Sequence, residues 1–299
     1  MAQSRQRQNK RRPNQRRRGP SERRLSGLAT LPPPEGPLLG LAEDRSRNQG
    51  WPVRAAIVVG VIIGVLAFLV ALPADLVVAI IIGILVGVGV GLLVIPASLA
   101  AANRNLGGSL VDLDDLPRIS ALLDVLGSTF GVAPASVRII DDAVPNAAVV
   151  AAKDGVSLIL TTGLLSSLSL VEIEGVLGHL LARQRLEAVR RSTIGAGLAL
   201  LLGPIGRRSG VAHRLTGIGG LFRADEIAAV TVRYPVGLCD ALAKMVDGPL
   251  PAGGSLFSSS VYETTRWLFV DPSIARRSVD EALGDIDATS VRRAALAEW

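Results

Sequence analysis

The pattern of apolar and polar positions divides the chain into three unlike stretches. Residues 1–50 carry few large apolar side chains before Leu31 and cannot assemble a core. In residues 53–96 the pattern inverts, with Arg54 and Asp75 as the only charges in 44 positions. Pro73-Ala74-Asp75 cuts that run into residues 55–72 and 76–95. At a rise of about 1.5 Å per residue, each piece spans a hydrocarbon layer of about 30 Å. An unbroken aliphatic run without a polar face is unlike the core hairpin of a water-soluble domain. The pattern therefore predicts two membrane helices joined by a tight turn. Gly60 and Gly64 on the first, and Gly83, Gly87 and Gly91 on the second, recur at four-residue spacing, which permits close backbone approach.

Beyond Gly107-Gly108 the periodicity changes. Asp114-Asp115 ahead of Pro117 mark a helix start, and Ile119, Leu122, Leu123, Leu126 and Phe130 follow at helical spacing. Residues 137–140, 147–152 and 157–161 read as short strands separated by turns at Pro145-Asn146 and Asp154-Gly155. Ser169 with Glu172 three positions on is a capping box, opening a helix expected to reach about residue 191. The apolar stretch 194–205 is too short to span a membrane and contains Gly203-Pro204, so it reads as buried or interfacial. Helices are expected at 224–232 and 236–246, and no fixed-period repeat occurs. The fold class is α+β: an N-terminal transmembrane helical hairpin followed by a mainly helical domain with a small sheet. The expected divisions are a disordered basic tail at 1–50, the hairpin at 51–106 and the domain at 107–299.

Composition sharpens this picture. The 299 residues are 49% hydrophobic with only 3% aromatic, an aliphatic excess too large for an ordinary water-soluble domain. The net charge of +6 suggests a nucleic-acid partner until the charges are located. Residues 1–50 hold twelve Lys/Arg against four Asp/Glu, and the remaining chain holds twenty against twenty-two. The excess is thus confined to the tail, with Arg11, Arg12, Arg16, Arg17 and Arg18 at its centre. The tail has no Phe, Tyr or Trp before Trp51, so base stacking is not indicated. Affinity for anionic lipid headgroups, RNA or the ribosome would be electrostatic, and no sequence-specific nucleic acid is expected. Nearness to a membrane helix favours lipid. The tail also has no apolar stretch like the core of a signal peptide. Basic flanks stay on the cytoplasmic side, and two crossings return the chain there, so both termini and the main domain are expected to be cytoplasmic. Lone Cys239 excludes an intramolecular disulfide framework and fits a reducing compartment. With His179 and His213 as the only histidines, a zinc finger or an iron–sulfur cluster is excluded as well.

The order of several short words then becomes informative. Residues 117–126, Val137-Arg138-Ile139-Ile140-Asp141, Pro145-Asn146-Ala147, Thr161-Thr162-Gly163-Leu164-Leu165 and residues 172–179 come first. Ala224-Asp225, residues 237–245 and, more faintly, residues 271–277 follow in the same colinear order. Together they resemble the metallopeptidase family of HtpX and the CaaX prenyl protease, over roughly residues 110–280 plus the preceding hairpin. The resemblance implies a gluzincin-like metallopeptidase domain. In such a domain H-E-x-x-H places two histidines of one helix face on zinc, and the intervening glutamate polarises water. A later E-x-x-x-D adds a glutamate ligand and an orienting aspartate.

The matching runs here are His179-Leu180-Leu181-Ala182-Arg183 and Leu221-Phe222-Arg223-Ala224-Asp225. The first histidine and the aspartate survive. The base position is Leu180, the second ligand position Arg183 and the third Leu221. Leucine has no donor atom, and a guanidinium is a fixed cation that repels a metal. The resemblance therefore implies a vestigial site of His179, Leu180, Arg183, Leu221 and Asp225, with the family's zinc lost, no cofactor in its place and no hydrolysis. Asp225 is expected to accept a hydrogen bond or ion pair from His179 or Arg183. Without the flanking words, His179 would read as a core histidine and Asp225 as a surface helix charge.

The resemblance also implies a substrate held as an added strand along a sheet edge, for which Asn146, Ala147, Ala148 and Val149 are the candidates. The expected function is that of a membrane-anchored pseudopeptidase binding polypeptide as scaffold or regulator. Its expected partners are the lipid bilayer and polypeptide clients or an active protease relative. Two alternatives stay open: an active membrane zinc metalloendopeptidase with a site rebuilt from His179, His213, Cys239 and Asp225, or a tail that binds anionic lipid or RNA with the remainder as anchor.

Overall fold

The hairpin turns at Asp75, whose carboxylate accepts the amides of Val77 (2.8 Å) and Val78 (3.1 Å). It thereby caps α2 (Leu76–Leu106), which runs back along α1 (Leu41–Ala71). The computed structural model describes residues 40–134, 136–153, 155–274 and 286–299. Both helices are long and apolar enough to cross a membrane. Their outward side chains, among them Ile57, Val61, Leu85 and Leu92, are exposed, as befits surfaces that lipid solvates. The glycine spacing is the packing seam. A methyl group on Gly60 would stand 2.7 Å from the Gly87 carbonyl, and one on Gly64 2.8 Å from that of Gly83. Only glycine lets these backbones approach so closely.

The first helix begins at Leu41, so residues 41–50, expected within the tail, are helical. Tertiary bonds hold them. Asp44 pairs with Arg223 (2.9 Å), Arg45 Nε donates to the Arg185 carbonyl (2.7 Å), and Asn48 Nδ2 donates to that of Leu186 (2.9 Å). The expectation of disorder for residues 1–39, including Arg11, Arg12, Arg16, Arg17 and Arg18, lies outside the described residues.

A four-stranded sheet follows, in the order β1-β2-β4-β3, from β1 (Ser109–Val111), β2 (Ser136–Ile140), β3 (Ala147–Ala152) and β4 (Gly155–Thr161). The β1–β2 and β3–β4 pairs are antiparallel and β2–β4 is parallel, which leaves β3 as the last strand of the sheet. Between β1 and β2 lies α3 (Pro117–Phe130), with proline in its first turn and Gly131 left-handed at its end. The short α4 (Thr162–Ser167) follows β4.

The central element is α5 (Leu170–Arg185), opened by the expected capping box. The Ser169 amide donates to Glu172 Oε2 at 2.6 Å, and the Glu172 amide donates to Ser169 Oγ at 3.5 Å. Residues 175–183 of α5 are buried on every side. This helix stops at Arg185 rather than near residue 191. The Arg185 and Leu186 carbonyls are taken by the side chains of Arg45 and Asn48, and Glu187 adopts a left-handed φ of 55°. The chain then re-enters helix as α6 (Ala188–Leu201), which lies along the membrane hairpin. Then come α7 (Ser209–Thr216), α8 (Gly220–Val232), α9 (Pro235–Asp247), α10 (Ser260–Thr265) and α11 (Thr289–Ala297). The main core joins α3, the sheet, α5, α8 and α9 through residues such as Phe130, Val149, Leu177, Ile227 and Leu242.

Candidate functional site

Asp225 is a buried carboxylate, and two side chains converge on it. On α5, His179 stands with Nδ1 2.6 Å from Asp225 Oδ1. From α11, Arg292 clamps both carboxylate oxygens, Nε to Oδ2 at 2.5 Å and Nη2 to Oδ1 at 2.9 Å, and its Nη1 donates to the Val270 carbonyl at 2.5 Å. Such a fork-on-carboxylate pairing is the geometry that offsets the cost of burying both charges. Burial works against the Asp225 carboxylate, but Arg292 and His179 hold it below its ordinary range. Burial pushes His179 down from 6.5 to about 4, against the opposing pull of Asp225. The imidazole is therefore neutral at physiological pH. Its Nδ1–H donates to the ionised aspartate, leaving Nε2 a bare acceptor with no hydrogen-bond partner among the described residues.

The expected contact between His179 and Asp225 is present, but the arginine paired with Asp225 is Arg292 rather than Arg183. The side chain of Arg183 turns instead to the backbone, with Nη1 on the Leu268 carbonyl (2.7 Å) and Nη2 on the Trp267 carbonyl (3.2 Å) and Ser192 Oγ (3.3 Å). Burial lowers it to about 10, so it stays charged at neutral pH. Leu180 lies in the main core, and Leu221 packs with Ala199, Ala212 and Trp267. Sequence reasoning missed Arg292; its only signal is that a buried carboxylate beside a neutral imidazole needs a cation.

The groups named for a rebuilt metal site go elsewhere. The His213 Nε2 lies 2.6 Å from Asp287 Oδ2, and the ring stacks on Trp267 at 3.8 Å. Asp287 also caps α8, accepting the amides of Gly219 (2.6 Å), Leu221 (3.0 Å) and Phe222 (3.0 Å). Cys239 Sγ donates to the Arg293 carbonyl at 3.7 Å. Among the described residues no three His, Cys, Asp or Glu side chains gather as a metal would require. Of the residues that the resemblance sets at ligand positions, His179 carries a donor nitrogen, whereas Leu221 has none and Arg183 is a fixed cation.

At the candidate peptide edge the chain meets itself. Ala147, Ala148 and Val149 lie on the last strand of the sheet, with Asn146 just before it, but all four are fully buried because the chain closes that edge itself. Phe269 forms an antiparallel bridge to Ala148, and the Val270 amide donates to the Ala147 carbonyl at 2.8 Å. Asn146 Nδ2 donates to the Asp271 carbonyl (2.8 Å) and Asn146 Oδ1 accepts the Asp271 amide (3.2 Å). Further along, Thr193 Oγ1 accepts the Ala151 amide (2.8 Å), and Asn103 Nδ2 donates to the Ala151 carbonyl (2.8 Å). The same closing segment is the one that Arg183 and Arg292 hold by its carbonyls.

Two curated relatives match part of the chain. A "Protease HtpX homolog" of Dictyoglomus thermophilum is 28% identical over 167 residues, 44% of this chain and 55% of that protein. A "Protease HtpX homolog" of Tropheryma whipplei strain Twist is 28% identical over 179 residues, 48% of this chain and 62% of that protein. The chain is similar to the HtpX proteases. The matched segment spans less than two thirds of these HtpX relatives. No protein-family model and no solved structure matches the chain.

The buried His179–Asp225 pair sets a pH dependence. For both His179, brought from 6.5 to about 4, and Asp225, also lowered, the unfolded chain takes up protons at a higher pH than the folded one. Stability is therefore full above the unfolded values and is lost as pH falls through the folded ones. The melting temperature of the purified protein is expected to drop as pH is lowered from 6.5 to about 4. A His179→Gln variant, which keeps an amide donor for Asp225, should lose the upper part of that dependence. A melting temperature flat across the window would contradict this assignment.

Proposed function

We propose that this chain is a membrane-anchored, HtpX-like pseudopeptidase, a scaffold or regulator rather than a hydrolase. The observation that carries the reading is Arg183: at the second-histidine position, it is committed to the carbonyls of Trp267 and Leu268. A fixed cation so engaged cannot be a ligand, and Leu180 and Leu221 at the base and third-ligand positions bring no donor. The closed edge of β3 argues that clients, or an active protease relative, dock elsewhere than along that strand. The distribution of arginines supports a cytoplasmic domain with both termini on the same side. In that position the tail lies beside anionic headgroups, worth about 1 kcal/mol per basic residue near the surface.

The purified chain is expected to contain no stoichiometric zinc, and a chelator should leave its melting temperature unchanged. Leu180→Glu, Arg183→His and Leu221→Glu together should introduce zinc binding, whereas each alone leaves the ligand set incomplete. Stoichiometric zinc in the unmodified protein, or peptide cleavage abolished by His179→Ala, would overturn the proposal. The orientation has its own check in intact cells, on a Cys239→Ser background. External thiol labelling should reach a cysteine at Ala74→Cys and miss one at Gly108→Cys; labelling at Gly108→Cys would reverse the assigned orientation.

A further inference from the structure

We propose that the cleft between the mouth of the hairpin and the end of α5 binds one phospholipid, phosphatidylethanolamine, by its primary ammonium and its phosphate. The proposal rests on the hairpin lying in a bilayer. The cleft has a volume of about 400 Å³, the size of a ligand-binding site. Its apolar walls come from both sides of the junction: Pro52, Val53 and Ile95 from the hairpin, Val156 of β4 and Val189 of α6 from the domain. Val53 and Ile95 stand where the apolar spans 55–72 and 76–95 meet the domain. Two neighbours mark the same level as that of lipid headgroups. The Trp51 ring lies 5.6 Å from the Arg191 guanidinium carbon, and the Arg54 side chain lies back over Gly50, toward the start of α1. Indole rings and the heads of long cationic side chains settle at that boundary.

The polar end of the cleft holds two opposite charges. Glu187, at the break between α5 and α6, lines it, and so does Arg190 three residues on. Both side chains are exposed. Among the described residues no ion pair joins them: Glu187 Oε2 accepts from the neutral Gln49 amide, and Arg190 has no partner. An anion and a cation less than one turn apart, each short of a counter-charge, mirror a zwitterionic headgroup, with the phosphate on Arg190 and the ammonium on Glu187. A primary ammonium gives N–H donors to a carboxylate, whereas the quaternary ammonium of phosphatidylcholine has none and phosphatidylglycerol carries no cation. From that seat the acyl chains pass Val53 and Ile95 into the hydrocarbon, so the apolar walls select a lipid over a free headgroup.

The test uses the full chain in vesicles of equal parts phosphatidylethanolamine, phosphatidylcholine and phosphatidylglycerol, extracted in mild detergent and read by native mass spectrometry. The expected result is one phosphatidylethanolamine retained per chain, several-fold more often than either other lipid. Glu187→Gln should bring its retention down to that of phosphatidylcholine, whereas Arg190→Gln should lower both alike. Both positions are exposed, so the melting temperature should stay that of the unmodified chain. Equal retention of the three lipids, preferential retention of phosphatidylglycerol, or a preference that survives Glu187→Gln overturns the site. Displacement of the lipid by an equal concentration of free phosphoethanolamine overturns the lipid assignment. Release of the chain from the vesicles by alkaline carbonate overturns the membrane reading itself.

Discussion

A charged carboxylate in a protein interior must be paired, and Asp225 is where this fold meets that constraint. Arg292 reaches it from α11, His179 from α5, and Arg292 at the same time holds the Val270 carbonyl. One guanidinium therefore ties the last helix, the central helix pair and the strand-closing segment to a single point. Removing Arg292 would leave Asp225 buried without a cationic partner, a change that costs about 3–5 kcal/mol. In an H-E-x-x-H centre the orienting aspartate steadies a histidine that faces a metal. Here Asp225 also holds a histidine, while its other interactions belong to an arginine.

Arg183 extends the same logic. It does not join the carboxylate, and its donors go to Leu268, Trp267 and Ser192. The residues it holds lead directly into Phe269 and Val270, which close the free edge of β3. Unpaired strand edges invite added strands. This edge is internally satisfied, which is why Ala147 to Val149 are buried although their strand is the last of the sheet. Arg183 and the closure of the β3 edge are thus parts of one arrangement, joined through a few backbone carbonyls.

Local chemistry made much of the fold legible. Proline and the apolar spacing bound α3, the capping box opens α5, and the nearly charge-free stretch gives the hairpin with Asp75 at its turn. What escaped was non-local. The end of α5 depends on Arg45 and Asn48, whose side chains take its last carbonyls from 140 and 138 residues away. Nothing near Arg185 announces that stop. The run Ala147–Ala152, apolar at every position, was consistent with burial on both faces, but its closing segment lies about 120 residues on. At the site, the approach of His179 to Asp225 followed from family resemblance alone, and no spacing rule pointed to Arg292 on a helix 67 residues after Asp225.

The central claim is that His179 serves Asp225 and no metal. Its most direct test is the pair of ring-nitrogen NMR shifts of His179 in the full chain at neutral pH, before and after equimolar zinc, with His213→Gln used to assign the signals. The account predicts a neutral ring, Nδ1 protonated and Nε2 bare, with both shifts unmoved by zinc. A zinc-dependent displacement of the Nε2 signal would contradict it.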